Sequence, residues 1–253
     1  MNIIDLIYLQ NPWFHDTGYQ PPEFNLPKRN LFNDFFDEII NTKQIISLTG
    51  LRRIGKSTLI KQVISELFRK NIDRRQILYF SFDQPTVKED TKTLEDLLET
   101  YLLKILGKEI HKINSPVYIF LDEIQLVPFW QDIIKRYYDL NQKIKFVVSG
   151  SSSLFIQEKA KESLAGRIFE RYLAPLAFSE YQKLSRRSDS VEFLDFGQFP
   201  ELLNLQNKER KIEYLKEGII AKVLEIDVPK TYGIRKIYDF ERLFWSLLPN
   251  FGQ

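Results

Sequence analysis

The 253-residue sequence has no cysteine, only two histidines, almost no net charge and no apolar run beyond about five residues. The missing thiols exclude disulfides and thiolate metal sites, and make a reducing cytoplasm the expected compartment. His15 and His111 stand far apart in sequence, which argues against a histidine-rich metal centre. A membrane-spanning helix needs about 20 apolar residues; stretches such as "VYIFL" fall far short, so no membrane association is expected. The opening "MNIIDLIYLQNPW" lacks the basic start and small-residue cleavage site of a signal peptide. Thirty-six basic residues against 34 acidic ones leave a net charge of +2, too even to argue for nucleic acid by itself. The basic clusters "FRKNIDRR" (68–75) and "SRRS" (185–188) read as solvated surface.

What is present is enough apolar material for a substantial core: 43% hydrophobic residues, with 20 Phe and 12 Tyr. Short β-rich runs alternate with helical patterns. The predicted strands are Gln44–Thr49, Ile77–Asp83, Val117–Asp122, Lys145–Ser149 and Arg171–Leu173. Between them lie the predicted helices "GKSTLIKQVISELFRK", "TLEDLLETYLLKIL" and "PFWQDIIKRYYDL", with "SLFIQEKAKES" after the fourth strand. That alternation implies βαβ crossovers and a parallel sheet covered on both faces. Beyond about residue 176 the strand signal ends, and "AFSEYQKL", "GQFPELLNL", "KERKIEYLKEGIIAKVLEIDV" and "YDFERLFWSLLPN" read as helices. The first 30 residues, with four prolines between Pro12 and Pro27, read as an extended arm on the surface.

The stretch "LTGLRRIGKSTLIKQVI" carries Gly, four residues, Gly, Lys, Ser, directly after a predicted strand and at the start of a predicted helix. A bare match arises by chance on the order of once in a hundred chains of this length, but this placement is the one the chemistry requires. Gly50 and Gly55 free the backbone to turn successive N–H groups of Leu51, Arg52, Arg53 and Ile54 inward onto phosphate oxygens. The helix start at Ser57 and Thr58 adds its positive dipole end. Lys56 would reach the β- and γ-phosphates and Ser57 would ligate Mg²⁺. Independently, "VYIFLDEIQ" places Asp122 and Glu123 at the C-terminal tip of a buried strand, where ligands sit in open α/β sheets. Asp122 is the second metal candidate, and Glu123 the candidate base that polarises a water against the γ-phosphate.

Ser149, ending the strand of "KFVVSGSSS", could position that water or touch the γ-phosphate; the alternative is a turn rich in small residues. Arg167 could be a charge-stabilising arginine offered to a neighbouring subunit, with Arg171 as the alternative and a surface role open for both.

The motif order resembles the prokaryotic, especially archaeal, AAA+ ATP-binding proteins close to the origin-recognition and STAND-like branches. The residues that carry this are "NPWF", "LPKRNLF", "RRIGKST", "ILYFSFDQP", "LDEIQLVPFWQDIIKRYYD", "VVSGSSS", "SLAGR…LAPLAFSEY", "FGQFPELL" and "EIDVPKTYGI". The resemblance implies a five-stranded parallel sheet in the order 5-1-4-3-2 followed by a helical lid. On that pattern residues 1–30 form an N-terminal arm, 31–176 an ATP-binding core, 177–236 the lid, and 237–253 the start of a winged-helix module. It also implies that "LPKR" lies near the adenine, with Pro27 and Arg29 as contacts; read without it, "LPKR" is a proline-capped helix start. Because "FERLFWSLLPNFGQ" looks like the first helix of a winged helix cut before its recognition element, the expectation is a truncated or degraded form of such a protein. The expected ligands are ATP or ADP with Mg²⁺, and the expected partners are DNA or a protein, through the missing module, and further copies of the chain. Expected function is Mg²⁺-dependent ATP hydrolysis driving a switch, with a nucleotide-gated DNA- or protein-binding module as the alternative. A small-molecule kinase is disfavoured, because Glu123 sits beside Asp122 and no acceptor-binding insert is visible.

Overall fold

A computed structural model of the chain describes residues 2–150 and 163–247. The described residues fall into two units. One comprises the N-terminal residues through Gly50 together with Gly55–Leu173, and the other comprises Leu51–Ile54 with the chain from Ala174 onward.

In the first unit the elements run α1 (Ile3–Gln10), α2 (Phe32–Asn41), β1 (Ile45–Thr49), α3 (Lys56–Arg69), β2 (Ile77–Ser81), α4 (Thr91–Thr100), β3 (Val117–Asp122), α5 (Trp130–Leu140), β4 (Ile144–Gly150) and β5 (Ile168–Tyr172). The five strands form one sheet in the order β2-β3-β4-β1-β5, every pair parallel. This is the predicted order read from the other edge. The fifth strand begins three residues earlier than predicted, at Ile168, paired with Ile45. The helix expected in "SLFIQEKAKES" lies almost wholly outside the described residues.

Strand alternation divides the sheet's side chains. Leu78, Phe80, Phe82, Ile119, Leu121, Phe146 and Val148 join α1, α4 and α5 in one buried apolar cluster. Tyr79, Phe120, Asp122 and Ser149 therefore point to the other face, where Lys61 of α3 lies over the Tyr79 ring at 5.9 Å. Helix α3 supplies its own apolar stripe, with Leu59, Ile60, Val63, Ile64 and Leu67 fully buried. Each such side chain taken from water contributes about 1.5–3 kcal/mol.

The first residues do not form the extended surface arm expected from their prolines. Asn2 caps α1, its side chain accepting from the Asp5 N–H while Asp5 reaches back to the Asn2 N–H. Leu6, Ile7 and Trp13 are buried. The prolines fall later, where Pro12 and Pro22 start short 3₁₀ turns.

This N-terminal segment closes the exposed edge of β2 with side chains. Trp13 Nε1 donates to the Ile77 carbonyl at 3.0 Å. The Asn11 amide accepts from the Tyr79 N–H at 2.7 Å and donates to the Tyr79 carbonyl at 2.8 Å and to the Ile7 carbonyl at 2.7 Å. The Gln10 amide does the same at Ser81, at 2.7 and 3.3 Å. Residues 77, 79 and 81 alternate along the edge, so their outward backbone groups are satisfied without a sixth strand, and an edge prone to pairing is blocked.

The second unit is helical: α6 (Phe178–Ser185), α7 (Ser190–Phe196), a 3₁₀ turn (Pro200–Asn204), a helical run from Lys208 to Tyr232 with π-helical turns, and α8 (Ile237–Leu247). Phe178, Tyr181 and Phe193 pack ring on ring between α6 and α7. Gly197 sits so close that a Cβ there would meet the Phe193 Cα at 2.6 Å and the Tyr181 ring at 2.8 Å. Glu192 binds together Tyr181, Arg187 and the buried Lys211. The hydrogen bond from Lys211 holds its carboxyl below the usual range. Helix α8 has no buried residue, and residues 248–253 lie outside the described ones.

Asn11→Ala would strip partners from a buried N–H and two carbonyls. A loss of about 2–4 kcal/mol in unfolding free energy is expected by urea denaturation. Leu9→Ala, at a side chain 60% exposed, should stay within about 0.5 kcal/mol of the parent.

Candidate functional site

The C-terminal ends of β1, β3 and β4 bring the candidate residues together. β1 runs out at Thr49, and Gly50 opens the loop that ends at Gly55, whose φ of 97° lies in the left-handed region that favours glycine. Lys56 and Ser57 then start α3. Lys56 is 5% exposed. Its ammonium donates to the Gly50 carbonyl at 3.1 Å and lies 3.9 Å from the Glu123 carboxylate. Thr58 follows, half-buried.

Asp122, the last residue of β3, is 2% exposed. A carboxylate so far from water needs strong donors, and three hydroxyls supply them. Ser57 Oγ donates to Oδ2 at 2.5 Å, Tyr79 Oη donates to the same oxygen at 2.9 Å, and Ser149 Oγ donates to Oδ1. Strand register explains the last two. Asp122 pairs with Ser81 on β2, so Tyr79, two residues back, shares its face. Leu121 pairs with Val148, so Ser149 stands beside Asp122. Burial, then the Asp122 charge, pushes the Tyr79 phenol well above its ordinary pKa, so it remains a donor.

Glu123 leaves the strand through a left-handed turn, φ 54° and ψ 39°, a conformation uncommon for non-glycine residues and typical of functional turns. Its carboxylate accepts from Gln125 Nε2 at 2.5 Å. Burial raises its pKa, with Lys56 opposing that rise and Asp122 adding to it. The buried Gln125 Oε1 has no hydrogen-bond partner among the described residues.

The hydroxyl of Ser149, expected to face a water or a γ-phosphate, is engaged instead with Asp122. Arg167 precedes β5 at the opposite end of the sheet from the phosphate-loop motif, and its guanidinium pairs with Asp139 at 2.8 and 3.3 Å. Arg171 pairs through two nitrogens with Glu38. Both arginines are thus bound within their own chain. Pro27 is exposed and Arg29 buried, just ahead of α2, where Phe32 N–H donates to the Arg29 carbonyl. Four residues of the loop group with the helical unit: Arg52 pairs with Asp227 at 3.5 Å, and Arg53 pairs with Glu201 at 3.3 Å while lying over the Tyr214 ring. Ile54 is fully buried and Leu51 half-buried.

Sequence reasoning missed Tyr79, Gln125 and the Asn11 clamp. Tyr79 lies inside the predicted strand Ile77–Asp83. Only the pairing of β2 with β3 puts it beside Asp122.

No helix of the described residues is long and apolar enough to cross a membrane, and among them no cluster of three or more His, Cys, Asp or Glu gathers in metal-binding geometry. The hard oxygen donors Ser57 and Asp122, already within 2.5 Å of each other, suit Mg²⁺. That ion takes few protein oxygens and keeps several waters.

The model of the AAA domain family matches residues 42–182. Two uncharacterized proteins of Methanocaldococcus jannaschii are similar. One is 30% identical over 82% of this chain and 42% of its own length, the other 28% over 77% and 44%. An uncharacterized Haemophilus influenzae protein is 24% identical over 84% of this chain and 53% of its own. The chain thus spans about half the length of these relatives, or less. Among solved structures, Orc1 of Aeropyrum pernix in complex with DNA shares the fold at TM-score 0.52 and 16% identity, over 86% of this chain and 72% of that one. Cdc6p of Pyrobaculum aerophilum does so at 0.50 and 11%, over 83% and 67%.

Because folding raises the Glu123 pKa, the fold favours the protonated carboxyl. That contribution is complete below the unfolded value and is lost as pH rises through the folded one. Glu123→Gln is therefore expected to melt above the parent at about pH 8, the gap closing as the buffer approaches about pH 4. A variant that melts lower at the upper pH would show the Lys56 attraction to outweigh burial.

Proposed function

The chain belongs to the AAA domain family, whose members carry a nucleotide-binding, ATPase-type P-loop core, and from that premise we propose that it hydrolyses ATP with Mg²⁺ to drive or gate a conformational switch. The observation that carries this reading is the convergence of Lys56, Ser57, Asp122 and Glu123 at one end of the sheet. The loop amides from Gly50 to Gly55 and the Lys56 ammonium hold the phosphates. Ser57 would bind Mg²⁺ directly and Asp122 through its water shell; the ion, when bound, neutralises charge developing on the transferred phosphoryl group. Glu123 accepts a proton from the attacking water, and Gln125 orients that carboxylate. Burial around Glu123 keeps its basicity above that of an exposed glutamate, which improves proton abstraction near neutral pH. Pro27 and Arg29 are the proposed adenine contacts, resting on the resemblance of "LPKR". Such sites gain mainly from positioning and electrostatics, and an arginine from a second copy can add about 10³–10⁵-fold. Arg167 or Arg171 would have to leave its carboxylate to serve that role, so an isolated chain is expected to turn over slowly.

The near-neutral charge supports only weak nucleic-acid binding by this segment.

Phosphate release from ATP, followed over a range of protein concentrations, tests the reading. Lys56→Ala should abolish nucleotide binding. Glu123→Gln should bind ATP normally yet hydrolyse it about 10²–10⁴-fold more slowly. The parent rate should fall with decreasing pH through a value above an ordinary glutamate's, since the base works deprotonated. Turnover per chain that rises with concentration supports a trans arginine. Tight ATP binding with no hydrolysis at any concentration would leave a nucleotide-held switch in place of an ATPase.

A further inference from the structure

Asp122 is the most constrained side chain of the site, and one of its three donors comes from a position with no place in the mechanism above. We propose that Tyr79 is a positioning residue whose phenol O–H, anchored from the sheet edge by Asn11, fixes the Asp122 carboxylate in the orientation that holds a divalent cation beside Ser57. The proposal rests on the assignment of Asp122 and Ser57 to Mg²⁺.

A carboxylate on Asp turns easily about its last bond, because that torsion has broad minima. One hydrogen bond leaves it free to swing; bonds to both oxygens stop it. Ser149 holds Oδ1, while Ser57 and Tyr79 both hold Oδ2. A hydroxyl that would turn a lone pair to the ion keeps its proton, so Ser57 could go on donating to Oδ2. Tyr79 holds that same oxygen from a different element, β2, and with Ser149 on β4 keeps the plane of the carboxylate set whichever way Ser57 turns.

The Tyr79 backbone is itself held at both its N–H and its carbonyl. Asn11 grips its N–H at 2.7 Å and its carbonyl at 2.8 Å, and Asn11 is anchored in turn on the Ile7 carbonyl at 2.7 Å. The ring is 8% exposed, with Lys61 on one side. Two buried hydrogen-bonding steps therefore connect the capped edge of β2 to the tip of β3. The backbone clamp satisfies the β2 edge, as Gln10 does at Ser81; what sets Tyr79 apart is that its hydroxyl donates to the buried Asp122 carboxylate. Removing the partner of a direct metal ligand alters metal affinity by about 10–100-fold; Asp122 would act through the ion's waters, so the low end of that range is expected for Tyr79.

Tyr79→Phe keeps the buried ring and deletes only the donor. The affinity of a fluorescent ADP analogue is measured for the parent, Tyr79→Phe and Lys56→Ala, first in EDTA and then across a Mg²⁺ series, with thermal melts in parallel. The expected result is that Tyr79→Phe matches the parent in EDTA but needs about tenfold more Mg²⁺ to reach tight binding. An unchanged Mg²⁺ midpoint overturns the proposal, as does an equal loss of affinity with and without Mg²⁺, which is what a merely structural tyrosine would give. A parent that binds ADP through Lys56 but shows no Mg²⁺ dependence overturns the metal assignment and the role of Tyr79 with it. A parent that binds no nucleotide overturns the whole site reading.

Discussion

A carboxylate 2% exposed at the tip of a central strand is the constraint around which this fold is arranged. Burying that charge without partners would be prohibitive, and the partners come from three separate elements: Ser57 at the start of α3, Tyr79 on β2 and Ser149 on β4. Each can reach Asp122 only if β3 lies between β2 and β4 and the loop after β1 ends beside it. The strand order and the register are thus tied to the electrostatics of one side chain. A one-residue slip of β2 or β4 would turn its hydroxyl to the opposite face and leave the carboxylate with a missing donor.

Next to this satisfied charge stands one that is not fully reconciled. Glu123 occupies a left-handed turn, is largely buried, and has a raised pKa despite Lys56 nearby. A group stabilised in its neutral form, yet proposed to act as a charged base, gives up stability for reactivity, a common pattern at functional sites. Adjacent carboxylates thus differ sharply: Asp122 is fixed by three hydroxyl donors, while Glu123 accepts from the Gln125 amide.

The edge of the sheet shows a second economy. β2 is terminal, and its outward backbone groups would invite another strand. Gln10, Asn11 and Trp13 satisfy them with side chains, which is why the N-terminal residues belong to the same unit as the sheet. Their four prolines suggested an extended arm. The Asn2–Asp5 capping box and the buried apolar Leu6 and Ile7 outweigh those prolines and favour a docked helix.

Much of this was legible locally. Apolar runs bounded by helical periodicity located all five strands to within a few residues, and the Gly-x4-Gly-Lys-Ser and Asp-Glu motifs marked the site because phosphate and metal chemistry demand those residue types at those spacings. The strand order followed from resemblance, since one sequence carries no record of which strand lies beside which. The partners of each side chain were hidden for the same reason. Ser149, a candidate to position a water or a phosphate, donates to Asp122; Arg167 and Arg171, alternative candidates for a neighbour's site with a surface role open for both, pair with Asp139 and Glu38. Tyr79 looked like core. Sequence by itself determined the five strands and located the phosphate-loop and Asp-Glu motifs, because periodicity and motif spacing act over a few residues. Tertiary structure alone decided which hydroxyls hold Asp122 and what closes the β2 edge, because those bonds join residues 27 to 71 positions apart and exist only once the strands are laid side by side.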